Sequence, residues 1–257
     1  PIRLMTYNIR LDVASDGLDA WEHRSAFLVS QIRFFEPDIF GIQEGLPHQV
    51  AYLEQNLVGY NREGEGREGH GKGEYSAIFY NRSKFTVQQR QTFWLSPTPD
   101  SVSMGWDAAC LRVCTAVLLK ENGSNRRFWV FNTHLDHIDE AARANGIALI
   151  LSKMKTLNVE NLPAVFMGDL NALPSSNIVN QLKIDLDDTR DRIGADALGP
   201  EGSFNGFKFG QSTLKLIDYI FVTRTPGLLV RKYAIIEQSR NGHYPSDHFP
   251  VFAEIEF

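Results

Sequence analysis

The 257 residues contain only two cysteines, Cys110 and Cys114. That excludes a disulfide framework and any four-cysteine zinc site. Four positions apart on an expected strand, the two thiols face one side as buried free groups, with a bridge as the alternative. No apolar run is long enough to span a bilayer, and no leader pattern marks a signal peptide. Basic runs are absent as well. Lys+Arg 26 against Asp+Glu 31 gives a formal net charge of −5, so the whole molecule offers no attraction to long duplex nucleic acid or to an anionic membrane. There is no repeat, low-complexity tract or composition break to mark a linker, so residues 1–257 read as one domain. There is no nucleophile elbow for a catalytic serine and no H-E-x-x-H zinc motif. The chain opens on Pro1 rather than Met. The expectation is a soluble monomer from which a segment before Pro1 was removed, as export would do, with the compartment left open.

Hydrophobic content of 43% and charged content of 22% suffice for a core that buries roughly 70–75% of the unfolded surface. Apolar periodicity then lays out alternating strands and helices. Strands are expected at 2–9, 38–44, 74–80, 85–94, 110–119, 126–135, 164–167, 215–222, 228–237 and 251–257. Helices are expected at 21–36, 47–57, 140–157 and 175–182, the last capped by Ser175 or Ser176. Residues 184–210 read as mostly irregular. The glycine-rich stretch 64–74 spells G-x-G-x-x-G and nearly a P-loop. It leads into a strand rather than joining a strand to a helix, so no helix N-terminus is available for a phosphate. It reads instead as a charged loop bordering a site.

Several of these strands stop at polar residues. Asn8, Glu44, His134, Asp169 and the pair Asp247-His248 stand at strand ends or junctions, and Asp218 lies within an apolar strand. Asp169 and Asn171, two apart on an extended backbone, point the same way and can hold a water and a phosphoryl oxygen; an Asx turn closing the strand is the plainer alternative. A buried Asp218 needs a partner, and Arg112, set among apolar residues, needs an anion, either a structural carboxylate or a substrate phosphate. Oxygen donors outnumber nitrogen donors and no thiolate is among them. That mixture suits Mg²⁺, with Mn²⁺ or Ca²⁺ as alternatives, better than zinc. The chemistry implied is attack of water on a phosphorus ester.

The segments TYNI (6–9), IQE (42–44), NTHLDH (132–137), GDLNA (168–172), IDYIFV (217–222) and SDHFPV (246–251) together resemble the endonuclease/exonuclease/phosphatase superfamily, in the same order and over essentially the whole chain. The NTHLDH segment is similar to a bacterial branch with a likeness to the deadenylases. The resemblance implies an α/β four-layer sandwich of the deoxyribonuclease I type, two mixed β-sheets face to face with helices outside. It implies Glu44 as metal ligand with Asn8 and Asp247 beside it, His248 as general base and Asp218 as its orienting carboxylate. Asp169 would position the water, Asn171 a phosphate oxygen, and His134 the phosphate or leaving group with Glu74 as its support.

Substrate identity is open at this level. A nuclease acting on short or single-stranded ends fits the missing basic runs, and Trp106 and Phe204 in irregular stretches could stack a base. Arg112 would touch the phosphate. A small phosphodiester, an inositol phosphate or a lipid headgroup is the alternative substrate. A catalytically inactive binding module is the alternative of another class.

Overall fold

The computed structural model describes residues 1–257. Its first half runs β1 (Ile2–Asn8), α1 (Trp21–Phe35), β2 (Ile39–Gln43), α2 (Pro47–Asn56), β3 (Tyr60–Glu63), β4 (Ile78–Asn81), β5 (Phe85–Trp94) and β6 (Val113–Glu121). The second half runs β7 (Arg127–His134), α3 (Glu140–Leu157), β8 (Ala164–Asp169), α4 (Asn177–Asp185), β9 (Leu186–Asp188), α5 (Thr189–Ile193), β10 (Asp218–Thr223), β11 (Leu229–Ile235) and β12 (Val251–Glu256). They form two six-stranded sheets, β11-β12-β1-β2-β4-β3 and β5-β6-β7-β8-β10-β9. Each is mixed: β1 and β2 run parallel, as do β7 and β8, and the other pairs are antiparallel.

The period of two along each strand decides what goes where. In β1, Ile2 and Leu4 join the larger core with the second sheet, while Met5 and Tyr7 join a smaller core beneath α1 and α2. Asn8 continues the phase of Ile2 and Leu4, so it looks into the gap between the sheets. Asn132 on β7 bolts that gap, donating to the carbonyls of Ile42 and Ala77 at 2.9 Å each and accepting from Gln43 Nε2 at 2.7 Å. Gly41 in β2 makes room for it, because a Cβ there would stand 2.6 Å from the Asn132 side chain. Face-to-face sheets with helices outside are therefore the architecture the motifs implied. No helix is long and apolar enough to cross a membrane.

Three elements depart from the sequence reading. The β9–α5 pair falls in a stretch read as irregular, and β3 in one for which no element was expected, because their patterns are too short and too polar to register. The strand expected at 74–80 begins only at Ile78; Tyr75 instead bridges Gly45 and Gly66. Likewise β6 starts at Val113 and β10 at Asp218. Cys110 thus sits in the loop before β6, half-buried, while Cys114 is buried, and both are free. Asp218 opens its strand rather than interrupting it.

Candidate active site

The carboxyl ends of β1, β2, β7 and β8 point the same way, and β10 begins where β8 ends, with Asp218 registered opposite Asp169. The turn before β12 adds Ser246 to His248. A cavity of about 610 Å³ opens there, lined by 17 residues that include Glu44, Glu74, Arg112, His134, Asp169, Asn171, Phe204, Asp247 and His248. Most sequence-expected site residues are thus brought together. Trp106 packs against the larger core and does not reach the cavity, and Asn8 and Asp218 stand behind its wall, bonded to Glu44, Asp169 and His248.

At one end His248, only 4% exposed, sets Nδ1 2.8 Å from Asp218 Oδ2 and Nε2 3.8 Å from Asp169 Oδ2. Ser203 donates to the same Asp218 oxygen at 2.6 Å and receives the Ile217 and Asp218 amides at 3.1 Å. This serine lies in a stretch where the sequence carried no signal. Burial pushes the His248 pKa down, but the charge and hydrogen bond of Asp218, with Asp169 and Asp247, outweigh it and hold the imidazole well above its ordinary value. Phe204 packs edge-on against this ring at 5.1 Å, and Lys215 Nζ sits 5.9 Å over its face. The ring is half-buried and forms part of the cavity wall beside the base.

Asp169 is fully buried, and burial together with the Asp218 charge pushes its carboxyl far above the usual carboxylate range. Its Oδ1 accepts the Asn171 amide at 2.9 Å, so the Asx turn is real. Asn171 lies past the strand end with φ +47°, not on extended backbone, and its side chain reaches His134 Nε2 and the Leu135 carbonyl at 3.1 Å each. Turn and site coincide. Glu44 has φ +64°, an uncommon place for a non-glycine residue. Its carboxylate accepts from Asn8 Nδ2 at 2.9 Å and from the Leu11 amide at 3.0 Å.

Asn8 corrects a metal-ligand expectation. Its nitrogen donates to both Glu44 and Asp169 at 2.9 Å, and its oxygen accepts the Arg10 amide at 3.0 Å. It aligns two carboxylates rather than offering an oxygen to a cation. Ligand atoms of Glu44, Asp169 and His248 all lie within 4.8 Å of one another, a group able to hold a metal ion. The fit is supported by Asp169 itself, whose raised proton affinity marks a buried carboxylate short of positive charge. Asp247 stands on the same wall, its Oδ2 3.9 Å from Arg10 Nε.

The other end is built from guanidinium groups. Glu74 does not support His134 as expected: its carboxylate pairs with Arg67 at 2.7 Å and 2.9 Å. Arg67 comes from the glycine-rich loop, which borders the cavity. Arg112 is 6% exposed, 3.8 Å from Asp136 Oδ2 and 3.0 Å from His137 Nδ1. It has the structural carboxylate and a place on the cavity wall at once. Cys110, Asp136 and His137 also cluster within 4.8 Å, but the Arg112 guanidinium already stands beside Asp136 and His137. Burial, then Arg112, and after it His248, Arg67 and His137, push His134 well below the ordinary imidazole value. Each of these favours the neutral ring.

Comparison with known proteins agrees with the geometry. The profile described as Endonuclease/Exonuclease/phosphatase family matches residues 5–248. A solved mannosyl-6-phosphatase of Bacteroides thetaiotaomicron VPI-5482 is 35% identical, with 100% of each chain covered and a TM-score of 0.92. An uncharacterised protein of Acanthamoeba polyphaga mimivirus is 26% identical over 59% of this chain and 59% of its own length. Rat Nocturnin is 21% identical over 100% of this chain, which spans 66% of that protein.

Proposed function

The chain belongs to the endonuclease/exonuclease/phosphatase family, whose members are hydrolases of phosphoester bonds, and on that premise we propose that it is a Mg²⁺-dependent phosphatase of small phosphorylated sugars or polyols. The cavity wall is the observation that carries this reading. Of 17 lining residues 5 are apolar, and Phe204 is the one aromatic among them. Phe204 stands edge-on to His248, with Lys215 Nζ 5.9 Å from its ring centroid. Hydrogen-bond donors from Arg67, Arg112 and Lys215 suit hydroxyls and phosphate oxygens. The whole-length likeness to a bacterial mannosyl-6-phosphatase supports the same class over the nuclease first expected.

Glu44 and Asp169 would hold the cation, with Asp247 beside them, and when bound it supplies Lewis-acid stabilisation of charge on the phosphoryl group. With Nδ1 donating to Asp218, the Nε2 of His248 is the nitrogen left to take the proton of an attacking water once the ring has released its own, which a cation's positive charge at Glu44 and Asp169 would favour. Asp169, 3.8 Å from that nitrogen, faces the same spot and orients the water. The water oxygen bonds to phosphorus as the ester P–O bond breaks, and the alkoxide leaves from the opposite side and takes a proton from solvent. His134, its ring held by Asn171, faces the phosphoryl oxygens, and Arg112 answers their charge.

Release of inorganic phosphate, measured with and without chelator, tests this reading. The panel is mannose 6-phosphate, p-nitrophenyl phosphate, bis-p-nitrophenyl phosphate and a short oligoribonucleotide. Mg²⁺-dependent turnover of the monoesters above the diesters is expected. Preference for the oligonucleotide would replace the phosphatase reading with a nuclease.

A further inference from the structure

Arg24, in the first turns of α1, is 3% exposed, and none of its hydrogen bonds goes to a carboxylate. Its Nε donates to the Asp19 carbonyl at 2.7 Å, one Nη to those of Ile9 and Pro245 at 2.6 Å and 3.1 Å, and the other to that of Arg10 at 2.8 Å. The side chains of Trp21 and Phe207 cover it, with ring centroids 5.2 Å and 5.7 Å from the guanidinium carbon. Burying a cation without a bonded counter-ion costs several kcal/mol. Main-chain carbonyls satisfy its N–H groups but do not neutralise its charge, so the retention of a full cation here calls for a reason.

The reason lies in which carbonyls it holds. Ile9 and Arg10 follow directly on Asn8, the residue that aligns Glu44 with Asp169. Pro245 directly precedes the Ser246-Asp247-His248 turn. These segments are more than 230 positions apart in sequence, and both line the cavity, Arg10 and Leu11 from one, Asp247 and His248 from the other. A planar fork fixes several carbonyl positions at once, which an ammonium group cannot do. A second, weaker tie runs beside it: Ser246 Oγ donates to the Asn8 carbonyl at 2.7 Å.

We propose that Arg24 is a positioning residue for the phosphoesterase reaction, a buried clamp that fixes the Asn8–Arg10 segment against the Asp247–His248 turn and so sets the distance between carboxylate ligands and base. The inference rests on the cation-and-base reading of the cavity, not on the identity of the substrate. Its weight comes from sensitivity: displacing reacting groups by about 1 Å can cost on the order of 100-fold in rate.

Arg24→Lys and Arg24→Met separate the clamp from the charge. In each, circular dichroism checks the fold, p-nitrophenyl phosphate gives kcat and KM, and the Tm rise on adding Mg²⁺ alone reads metal binding without turnover. The clamp predicts that both variants lose about 10- to 100-fold in kcat with KM nearly unchanged, and that both gain less Tm from Mg²⁺. A charge effect alone predicts the opposite pattern: Arg24→Lys behaves as wild type, and Arg24→Met, freed of a positive charge near Asp247, binds Mg²⁺ more tightly. Either result overturns the proposal. If Arg24→Met does not fold, Ser246→Ala decides with Arg24→Lys. A smaller loss of the same kind in Ser246→Ala supports the clamp, and wild-type behaviour in both overturns it. A wild-type protein that cleaves no monoester contradicts the proposed function, while the Mg²⁺ shifts still report on Arg24.

Discussion

The two ends of the cavity each centre on a buried histidine, and the two rings are driven in opposite directions. His248 is surrounded by Asp218, Asp169 and Asp247 and holds its proton far more tightly than a free imidazole. His134, whose Nε2 is 3.4 Å from the same Asp169 oxygen, nonetheless loses its proton far more readily, through burial and the charges of Arg112, His248 and Arg67. Burial pushes both rings the same way, so the neighbouring charges make the difference. One cavity thus contains a carboxylate-rich end, fit for a cation and a proton acceptor, and a guanidinium-rich end, fit for phosphate oxygens. A phosphate ester lying across the two would meet positive groups at its oxygens and a base on the water side.

The comparison breaks most visibly at the carboxylate end. His248→Ala is expected to lose about 10²–10⁴ in kcat with little change in KM, as removal of a general base does. Asp218→Asn should lose turnover as well, because an amide in place of the carboxylate lets the ring take the wrong tautomer. Steady-state kinetics at saturating Mg²⁺ check both, and near-wild-type turnover in His248→Ala would move the base to Asp169. Next in size, Glu44→Gln should raise the Mg²⁺ concentration for half-maximal rate by about 10-fold or more, read from a metal titration. An unchanged titration curve removes Glu44 from the cation site.

The guanidinium end is sharpened by a double-mutant cycle. Glu74 bonds to Arg67, so Glu74→Gln and Arg67→Met should be non-additive in kcat/KM by about 0.5–3 kcal/mol. The same cycle between Glu74 and His134 should be nearly additive. The reverse outcome would restore the Glu74–His134 partnership that the motifs suggested.

A smaller effect follows from Asp169. Its folded-state pKa is raised to about 7, so between about pH 4 and pH 7 the folded protein retains a proton that the unfolded chain releases. On that account the metal-free protein loses stability as pH rises through the window. A cation needs the ionised carboxylate and competes with that proton. The Tm increase on adding Mg²⁺ should therefore be several degrees at pH 8 and close to zero at pH 5. An equal increase at both pH values would mean that Asp169 takes no part in holding the cation.

Much of this was legible in the chain because strands announce their ends. Apolar runs that stop at Asn8, His134 and Asp169 share the two-residue phase that aims them between the sheets, Glu44 reaches the site out of that phase through its positive φ, and one dipeptide, Asp247-His248, supplies the base. What stayed hidden depends on partners distant in sequence. Nothing around Ser203 shows that it will bond to Asp218, and nothing in the Glu74 segment prefers Arg67 over His134. The direction of the Asn8 amide is set by the Arg10 backbone, which no side-chain pattern reports. Trp106 and Phe204 look alike as loop aromatics, yet one packs into the core and the other against the base. The short strands β3 and β9 carry too few apolar residues for periodicity to register.

The opposite behaviour of the two histidines is tested most directly by following their ring signals by NMR in the metal-free protein as pH is varied, with His134→Gln and His248→Gln variants for assignment. The charge arrangement predicts that His248 keeps its proton well above the ordinary value of about 6.5 and that His134 stays neutral well below it. Two rings titrating together near that ordinary value would contradict it.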